Sequence, residues 1–600
     1  MESTGRRVRI SPVARPRDGR RVTDRRGWAL RASLGAAACC VGAMLVVGSS
    51  PAAPVSAVAT TYPSSETIPA KGALPPGGGT SISLNAARGD HEGAWIVVRG
   101  SGPVSATVDP GTLGAIHVNL AWGHFVSVGP RSVPDALLPW DGSPRKSEGQ
   151  IQPLYVRVTV PTDVATGTYT GAIAVQATGG AVDVPLSVRV FRFTLPPVSR
   201  ASGNLLTSFH TSPQAYVNTA ARLYDHTNAE RQQASMSVYA FLSSYNISPD
   251  SWGFGEPRNK VGYEASRKWW LDSARNMAGQ LGAGQGFPSM RIPISNNRTA
   301  PHNWIAGLSP SEPTSWCGYL KTVRQFWEQN GWLDGTMQYV FGQDEPGLEG
   351  QKLVGRQSKI AHECWPGARS LMTGNPSPTG ENAFLSDGKD GDDLDIWAVL
   401  SRRFYGSFTV PSAKERKTGR ARQLYTAIKR VRGRSSVWSY TYPGVAGTPG
   451  FAATEPLSNP RMFLLWNALE GIEGVLYGQG TTTFQSSNPF VTLEQGGELV
   501  LLYPGDKEPI PSARLEQIRD GIEDWAILES IRRSRGPAAV RKILGGAGLF
   551  SADAKGVKLG CHLGCELKSD TKYSWPLWSK DTTTAARIER AKLAALQAAS

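Results

Sequence analysis

The sequence predicts a multidomain β plus α/β protein, an N-terminal antiparallel β-sandwich followed by a (β/α)8 barrel of the TIM type. Three observations predict it. From about residue 80 to 195, apolar and polar residues alternate with period two; from 198 to 535, short apolar runs alternate with helical stretches; and Pro196-Pro197 separates the two textures. Period-two alternation buries one face of each strand, whereas strand and helix in turn build a parallel sheet.

The chain has 600 residues, more than one ordinary core can serve, so several domains are expected. Residues 1–59 read as an export signal: an Arg-rich start runs into an apolar stretch at 36–47 (AAACCVGAMLVV) and ends in the small residues Ala57-Val58-Ala59. That stretch is short of the roughly 20 residues that span a bilayer, so no membrane span is expected after signal removal. Arg25-Arg26, in DRRGWAL, weakly resembles a twin-arginine motif. The twin-arginine and general secretory routes both stay open, and either implies a secreted or extracytoplasmic protein.

Residues 60–79 (TTYPSSETIPAKGALPPGGG) read as a flexible linker. The sandwich is assigned to 80–197. There Val182, Val184, Leu186, Val188 and Val190 alternate with polar or turn-forming neighbours, as do Val156, Val158 and Val160, and Gly179-Gly180 marks a turn. The barrel is assigned to 198–535. Its helices include 266–281 and 317–330, and its strands include Met337–Phe341, Ile396–Leu400, 436–440 and Gly474–Tyr477. Residues 536–600 read as a helical C-terminal appendage.

The net charge of +15 suggests nucleic acid at first sight, but the leader's ten arginines against three acids supply +7 of it. No basic cluster with interleaved aromatics remains, so no nucleic-acid partner is expected. Oligomeric state is not legible. Removing the leader leaves Cys317, Cys364, Cys561 and Cys565. An even number in an exported chain points to disulfides, paired Cys317 with Cys364 and Cys561 with Cys565. The first contributes about 4 kcal/mol on the loop-entropy model. Cys561-His562 with Cys565 lacks the second ligand pair of a zinc knuckle, so no metal is assigned. The acidic loop 386–395 (SDGKDGDDLD) lacks the glycine position of a calcium hand.

Chemistry concentrates in 331–347, GWLDGTMQYVFGQDEPG. A buried strand delivers Gln343, Asp344 and Glu345 to its carboxyl end, where barrels place their reactive groups. Adjacent side chains alternate along a strand, but at its end the pleat is lost and both carboxylates can face the mouth. Read alone, the same residues also suit a polar turn before a helix. Trp397, Trp438, Tyr440, Tyr442 and Tyr477 fall at or near ends of predicted strands, and their faces suit the C–H faces of sugars. Arg514, Glu516, Arg519, Asp520, Glu523 and Asp524 suit a structural ion-pair network on a helix, with Arg519–Glu523 and Glu516–Asp520 at i,i+4 spacing.

The motif segment, with VWSYTYPG (437–444), RMFLLWNALEGIEGVLYGQG (461–480) and LLYPGDKEPIPSARLEQIRDGIEDWAIL (501–528), closely resembles the glycoside-hydrolase-like family called domain of unknown function 4091. That family is similar to glycoside hydrolase family 123, the β-N-acetylgalactosaminidases. ARGDHEGAWIVV and LYVRVTVPTDVATGTYTG resemble its amino-terminal domain, so the likeness spans about 80 to 530. The resemblance implies a glycan substrate, a catalytic barrel and substrate-assisted chemistry. Asp344 would orient and charge-stabilise the 2-acetamido group as its carbonyl oxygen attacks the anomeric carbon. Glu345 would protonate the leaving oxygen and then deprotonate water.

The residues agree with this, because an enzyme nucleophile needs carboxylates about 5 Å apart across the sugar, whereas chain neighbours lie on one side of it. No cofactor is needed. Two other readings stay open: hydrolysis of a non-acetamido glycan with a second carboxylate from Asp395, Glu470 or Glu473, and a non-catalytic carbohydrate-binding surface protein.

Overall fold

The computed structural model describes residues 59–250, 286–292, 316–377, 382–388, 393–401, 427–441, 449–549 and 583–600, apart from the single positions 101, 179, 199, 330, 429 and 479. The expected signal up to residue 58, the helix at 266–281, Tyr442, Cys561 and Cys565 lie outside the described residues.

The first part forms two sheets. One contains β1 (Ala59–Pro63), β3 (His91–Arg99), β5 (His117–Val128), β6 (Arg131–Pro139) and β7 (Ile151–Thr159); the other contains β2 (Ile82–Arg88), β4 (Ser105–Asp109), β8 (Gly167–Ala177) and β9 (Gly180–Thr194). Within both, pairing is antiparallel except for β2 beside β9 and for Thr492–Leu493, a two-residue strand from the second part that adds in parallel to β5. Alternation explains the layers: Ile96 and Val98 of one sheet and Val184, Leu186 and Val188 of the other fill a shared core, while Asp183, Pro185 and Arg189 stay exposed.

The stretch 60–79 is not a flexible linker. Residues 59–63 pair with Ala94–Val98 as β1, Thr61 and Gly79 exchange backbone hydrogen bonds, and Ile68 is buried. Its Pro and Gly content shapes a folded loop instead of a spacer.

The second part is built on one parallel sheet of seven strands: β10 (Leu206–Phe209), β11 (Ser289–Arg291), β12 (Met337–Phe341), β13 (Arg369–Thr373), β14 (Ile396–Leu400), β15 (Ser436–Thr441) and β16 (Gly474–Tyr477). They run in the order β10-β16-β15-β14-β13-β12-β11. Eight strands were expected, and seven are found among the described residues. The edges β10 and β11 meet without a ladder. The Ser289 hydroxyl donates to the Thr207 carbonyl at 2.5 Å and accepts from its N–H. Beside them the segment around Ser248 and Pro249 bonds to Phe209 through a single parallel bridge. The sheet is therefore nearly closed, with side-chain hydroxyls doing at the seam what backbone pairs do elsewhere.

Its strands bury both faces, as parallel strands covered by helices must. Leu206, Tyr339, Phe341, Leu371, Ile396, Leu400, Trp438 and Tyr440 fill the interior; Phe209, Val340, Met372, Trp397, Val399 and Tyr477 face the helix layer. Gly474 is needed here, because a Cβ on it would stand 2.2 Å from the Trp438 indole. The layer includes α1 (Pro213–Tyr224), α2 (Asn228–Ser244), α3 (Trp316–Gln329), α4 (Leu348–Cys364) and α5 (Asn459–Glu470). A Cys317–Cys364 disulfide joins α3 to α4, as expected. No helix of the described residues is long and apolar enough to cross a membrane.

The two parts are locked by α6 (Ala513–Arg535), followed by α7 (Pro537–Gly546) and α8 (Thr584–Ala599). Ser512 caps α6, its hydroxyl accepting from the Leu515 N–H at 3.0 Å. Arg514 grips both oxygens of Asp135 on β6 at 2.8 and 2.7 Å. Glu516 pairs with Arg157 of β7 and with Arg519, and accepts from Tyr245 at 2.6 Å. Glu523 meets His91 at 2.7 Å, and Arg461 of α5 meets Asp524 at 2.7 Å. The network expected on α6 exists, but its partners come mostly from other elements; the anticipated i,i+4 pairs are not its links.

Geometry decides how each acid is held. Burial opposes ionisation of Glu516, yet Arg157 and Arg519 outweigh it and keep its carboxyl below the usual range. Burial wins at Glu523, with Asp90 adding repulsion, and drives that carboxyl well above it.

The C-terminal helix α8 is part of this lock, not an appendage. Lys592, with its side chain 1% exposed, contacts Asp90 at 2.9 Å, Glu92 and Asp524. Removing one partner of a buried ion group leaves the others uncompensated, which costs about 3–5 kcal/mol. Lys592→Met is expected to lose stability of that order in chemical denaturation; a loss under about 1 kcal/mol would mean that α8 is dispensable to the lock.

Candidate active site

The mouth of the parallel sheet is built at the carboxyl ends of its strands. Strand β12 directs Met337, Tyr339 and Phe341 inward and then narrows at Gly342, where a Cβ would lie 3.0 Å from Val354 of α4. Gln343 follows and is buried, whereas Asp344 and Glu345 are both exposed. The pleat ends here by a left-handed turn: Glu345 has φ +42°. A β-carbon in that region costs roughly 1–2 kcal/mol, so something must hold the turn. Thr373, the last residue of β13, does so. Its hydroxyl accepts from the Glu345 N–H at 2.8 Å and donates to Asp344 Oδ1 at 2.7 Å. One hydroxyl thus ties both carboxylate residues to the neighbouring strand.

Of the five aromatic residues picked from the sequence, Tyr440 meets the pair. It ends the inward row of β15, and its hydroxyl donates to Glu345 Oε1. Since β15 lies three strands from β12 in the sheet order, this bond spans the mouth. Trp438 also points into the barrel, one layer deeper, where its ring meets Tyr339 at 5.7 Å and is closed off from solvent.

Trp397 and Tyr477 do not line the mouth. Both face the helix layer: the Trp397 indole donates to Ser386 at 3.2 Å, and Tyr477 packs on Phe451 at 4.8 Å and donates to the Glu498 carbonyl at 2.6 Å. Their positions in the strands have the wrong parity, a fact that proximity to a strand end does not reveal.

Three groups at the mouth carried no sequence motif besides Thr373. Arg291 ends β11, and its guanidinium lies 5.0 Å over the Phe341 ring. It donates to the Asp250 carbonyl at 2.9 Å and stands 3.8 Å from that residue's carboxylate. His210, just past β10, meets the same carboxylate at 3.2 and 3.4 Å. The inward parity of Arg291 on a short strand was the available signal, and three residues of strand are too few to read it.

The suggested second carboxylates lie elsewhere. Asp395 precedes β14, and Glu470 and Glu473 precede β16, so all three sit at the amino ends, opposite to Asp344 and Glu345. Asp395 is occupied there by His362 at 2.8 Å and by the Ser370 N–H at 2.6 Å. Burial opposes its ionisation, but these bonds prevail and hold its carboxyl below the usual range. Glu473 accepts from the Ser436 hydroxyl at 2.6 Å.

No protein-family model and no curated protein matches the chain. Among solved structures it is similar to a family 123 glycoside hydrolase from Clostridium perfringens, described for glycolipid glycan hydrolysis. The two are 14% identical over 91% of this chain and 98% of that one, with a TM-score of 0.59. This chain therefore has the fold of that hydrolase, and the resemblance seen in the sequence holds at the level of fold. Weaker likenesses are a glycoside hydrolase family 10 xylanase from termite gut (11% identity, 74% of this chain and 100% of that one, TM-score 0.28) and a putative alpha-galactosidase from Bacteroides fragilis (10%, 74% and 76%, 0.24). These two share too little of the fold to bear on this chain.

The left-handed turn makes a prediction about stability. In a helix or strand alanine is normally better than glycine, but at a left-handed position the β-carbon is the liability. Glu345→Gly is expected to be more stable than Glu345→Ala by about 1 kcal/mol in thermal or chemical denaturation; alanine equal or better would mean the turn is not held as described.

Proposed function

We propose that this protein hydrolyses glycosidic bonds at 2-acetamido sugars by a retaining, substrate-assisted mechanism. The observation that carries the proposal is the placement of two consecutive carboxylates at one end of one strand, both exposed and tied by the Thr373 hydroxyl. Chain neighbours cannot flank a sugar ring from both faces. A mechanism with an enzyme nucleophile or an enzyme-activated water on the far face needs a second carboxylate about 5 to 9.5 Å away. The three candidates for that role sit at the other end of the sheet. Asp250 stands at the same end as Asp344 and Glu345 but beside Arg291 and His210; in the proposed mechanism it takes no part in the bond-breaking, and the nucleophile comes from the substrate.

In this reading the acetamido carbonyl oxygen attacks the anomeric carbon. Asp344 accepts the amide N–H and stabilises the positive charge that develops there as the ring closes. Glu345, oriented across the mouth by Tyr440, gives its proton to the departing oxygen and then takes one from the water that opens the intermediate. Configuration at the anomeric carbon is inverted twice and so retained. The fold shared with a family 123 hydrolase supports the reaction class, and a glycan substrate outside the cell fits the export signal expected at 1–59.

Glu345→Gln is expected to lose about 10² to 10⁴ in rate on aryl 2-acetamido glycosides with poor leaving groups, the range of general acid catalysis. A thiazoline that mimics the cyclised intermediate is expected to inhibit the unaltered chain. An unchanged rate removes Glu345 from the mechanism, and no inhibition at high concentration removes the acetamido group.

A further inference from the structure

We infer that the Asp250 carboxylate, buttressed by Arg291 and His210, binds two neighbouring hydroxyls of the sugar ring, the C4 hydroxyl among them, and so sets which epimer the mouth accepts. This rests on the reading of the mouth as a sugar site. Asp250 belongs to the segment that fills the seam between β10 and β11, bonded through its N–H to the Phe209 carbonyl at 2.9 Å. It therefore stands at the same end of the sheet as Asp344 and Glu345, separated from β12 by β11 alone. Asp250 touches Arg291 of β11, the strand paired with β12, so across the sheet one strand, about 4.8 Å from its neighbour, lies between the two acidic positions. One pyranose ring with its substituents bridges that interval: with the acetamido group at Asp344, the ring edge bearing C4 faces the seam.

The electrostatics fit an acceptor that is held but not spent. Charge-assisted bonds normally close to about 2.7–2.9 Å. Among the described residues the Asp250 carboxylate has only longer contacts, 3.2 and 3.4 Å to His210 Nδ1 and 3.8 Å to Arg291 Nη1. Its four lone pairs are mostly left for other donors. The side chain keeps 16% of its surface exposed and His210 keeps 43%, so the group is reachable. Arg291 is fixed by the Phe341 ring on one side and by the Asp250 carbonyl on the other, which sets the carboxylate's place against the mouth. A carboxylate accepts two neighbouring hydroxyls with both oxygens, and the hydroxyl direction at C4 distinguishes epimers.

The test is calorimetric binding to the full chain carrying Glu345→Gln, so that turnover plays no part. The probes are the methyl β-glycosides of 2-acetamido-2-deoxygalactose, of its gluco epimer, and of the 4-deoxy sugar common to both. One epimer is expected to bind better than the 4-deoxy sugar, and adding Asp250→Asn is expected to weaken that epimer about ten- to a hundred-fold while the 4-deoxy sugar changes little.

The inference is overturned if Asp250→Asn weakens all three probes by the same factor, if it changes none, or if no probe binds. Should the variant fold poorly, the 3-deoxy and 4-deoxy sugars on the unaltered Asp250 report the same contact: each must lose affinity, and no loss overturns it. Epimer discrimination through Asp250 without turnover by the chain bearing Glu345 would leave this inference standing and sink the hydrolytic reading. Turnover with discrimination indifferent to Asp250 would do the reverse.

Discussion

Consecutive residues of an extended chain point to opposite sides, and the placement of Asp344 beside Glu345 depends on how the chain escapes that rule. It does so at a single left-handed residue, Glu345, held by the hydroxyl of Thr373 from the next strand. A conformation that costs roughly 1–2 kcal/mol persists because two hydrogen bonds worth about 1 kcal/mol each oppose it. The strain therefore sits where the chemistry is proposed and the restoring bonds sit beside it. Tyr440 adds a third restraint from across the mouth. A wider loop bearing the same two acids would lack this pre-arrangement.

That site stands on a frame fixed by buried charge. Ion pairs in an interior offer little net stability over apolar packing, because desolvation consumes most of the attraction. What they supply is position. Arg514 on Asp135, Glu516 on Arg157, Glu523 on His91 and Lys592 on Asp90 each join α6 or α8 to the first two sheets. A slip of one residue along α6 would leave several buried charges unpaired together. The strongest sequence motif of the late chain is thus structural, and its density of charge reflects five elements, β3, β6, β7, α5 and α8, converging on one helix.

Much of the fold was legible because its signals are local. Met337–Phe341, Ile396–Leu400 and Gly474–Tyr477 were read to the residue, since buried parallel strands are short apolar runs between breakers. The alternation of Val184, Leu186 and Val188 gave the face of β9. Errors arose where composition stands in for conformation: the Pro and Gly of 60–79 form a packed loop and a strand. In the site, Asp344 and Glu345 stood out by adjacency, and Tyr440 by its place near a strand end. Trp397 and Tyr477 misled because a strand end says nothing about which face a ring takes. Thr373, Asp250 and His210 were invisible, since each acts through partners from 28 to more than 40 residues away, and no spacing rule joins them.

The central claim, that two acids on one side of the sugar act with a nucleophile carried by the substrate, is tested most directly by the configuration of the first product. Hydrolysis of an aryl 2-acetamido β-glycoside followed by proton NMR, before mutarotation, is expected to reveal the β-anomer of the free sugar as the first species formed. First formation of the α-anomer would require a water activated on the far face and would contradict the role assigned to Asp344 and Glu345.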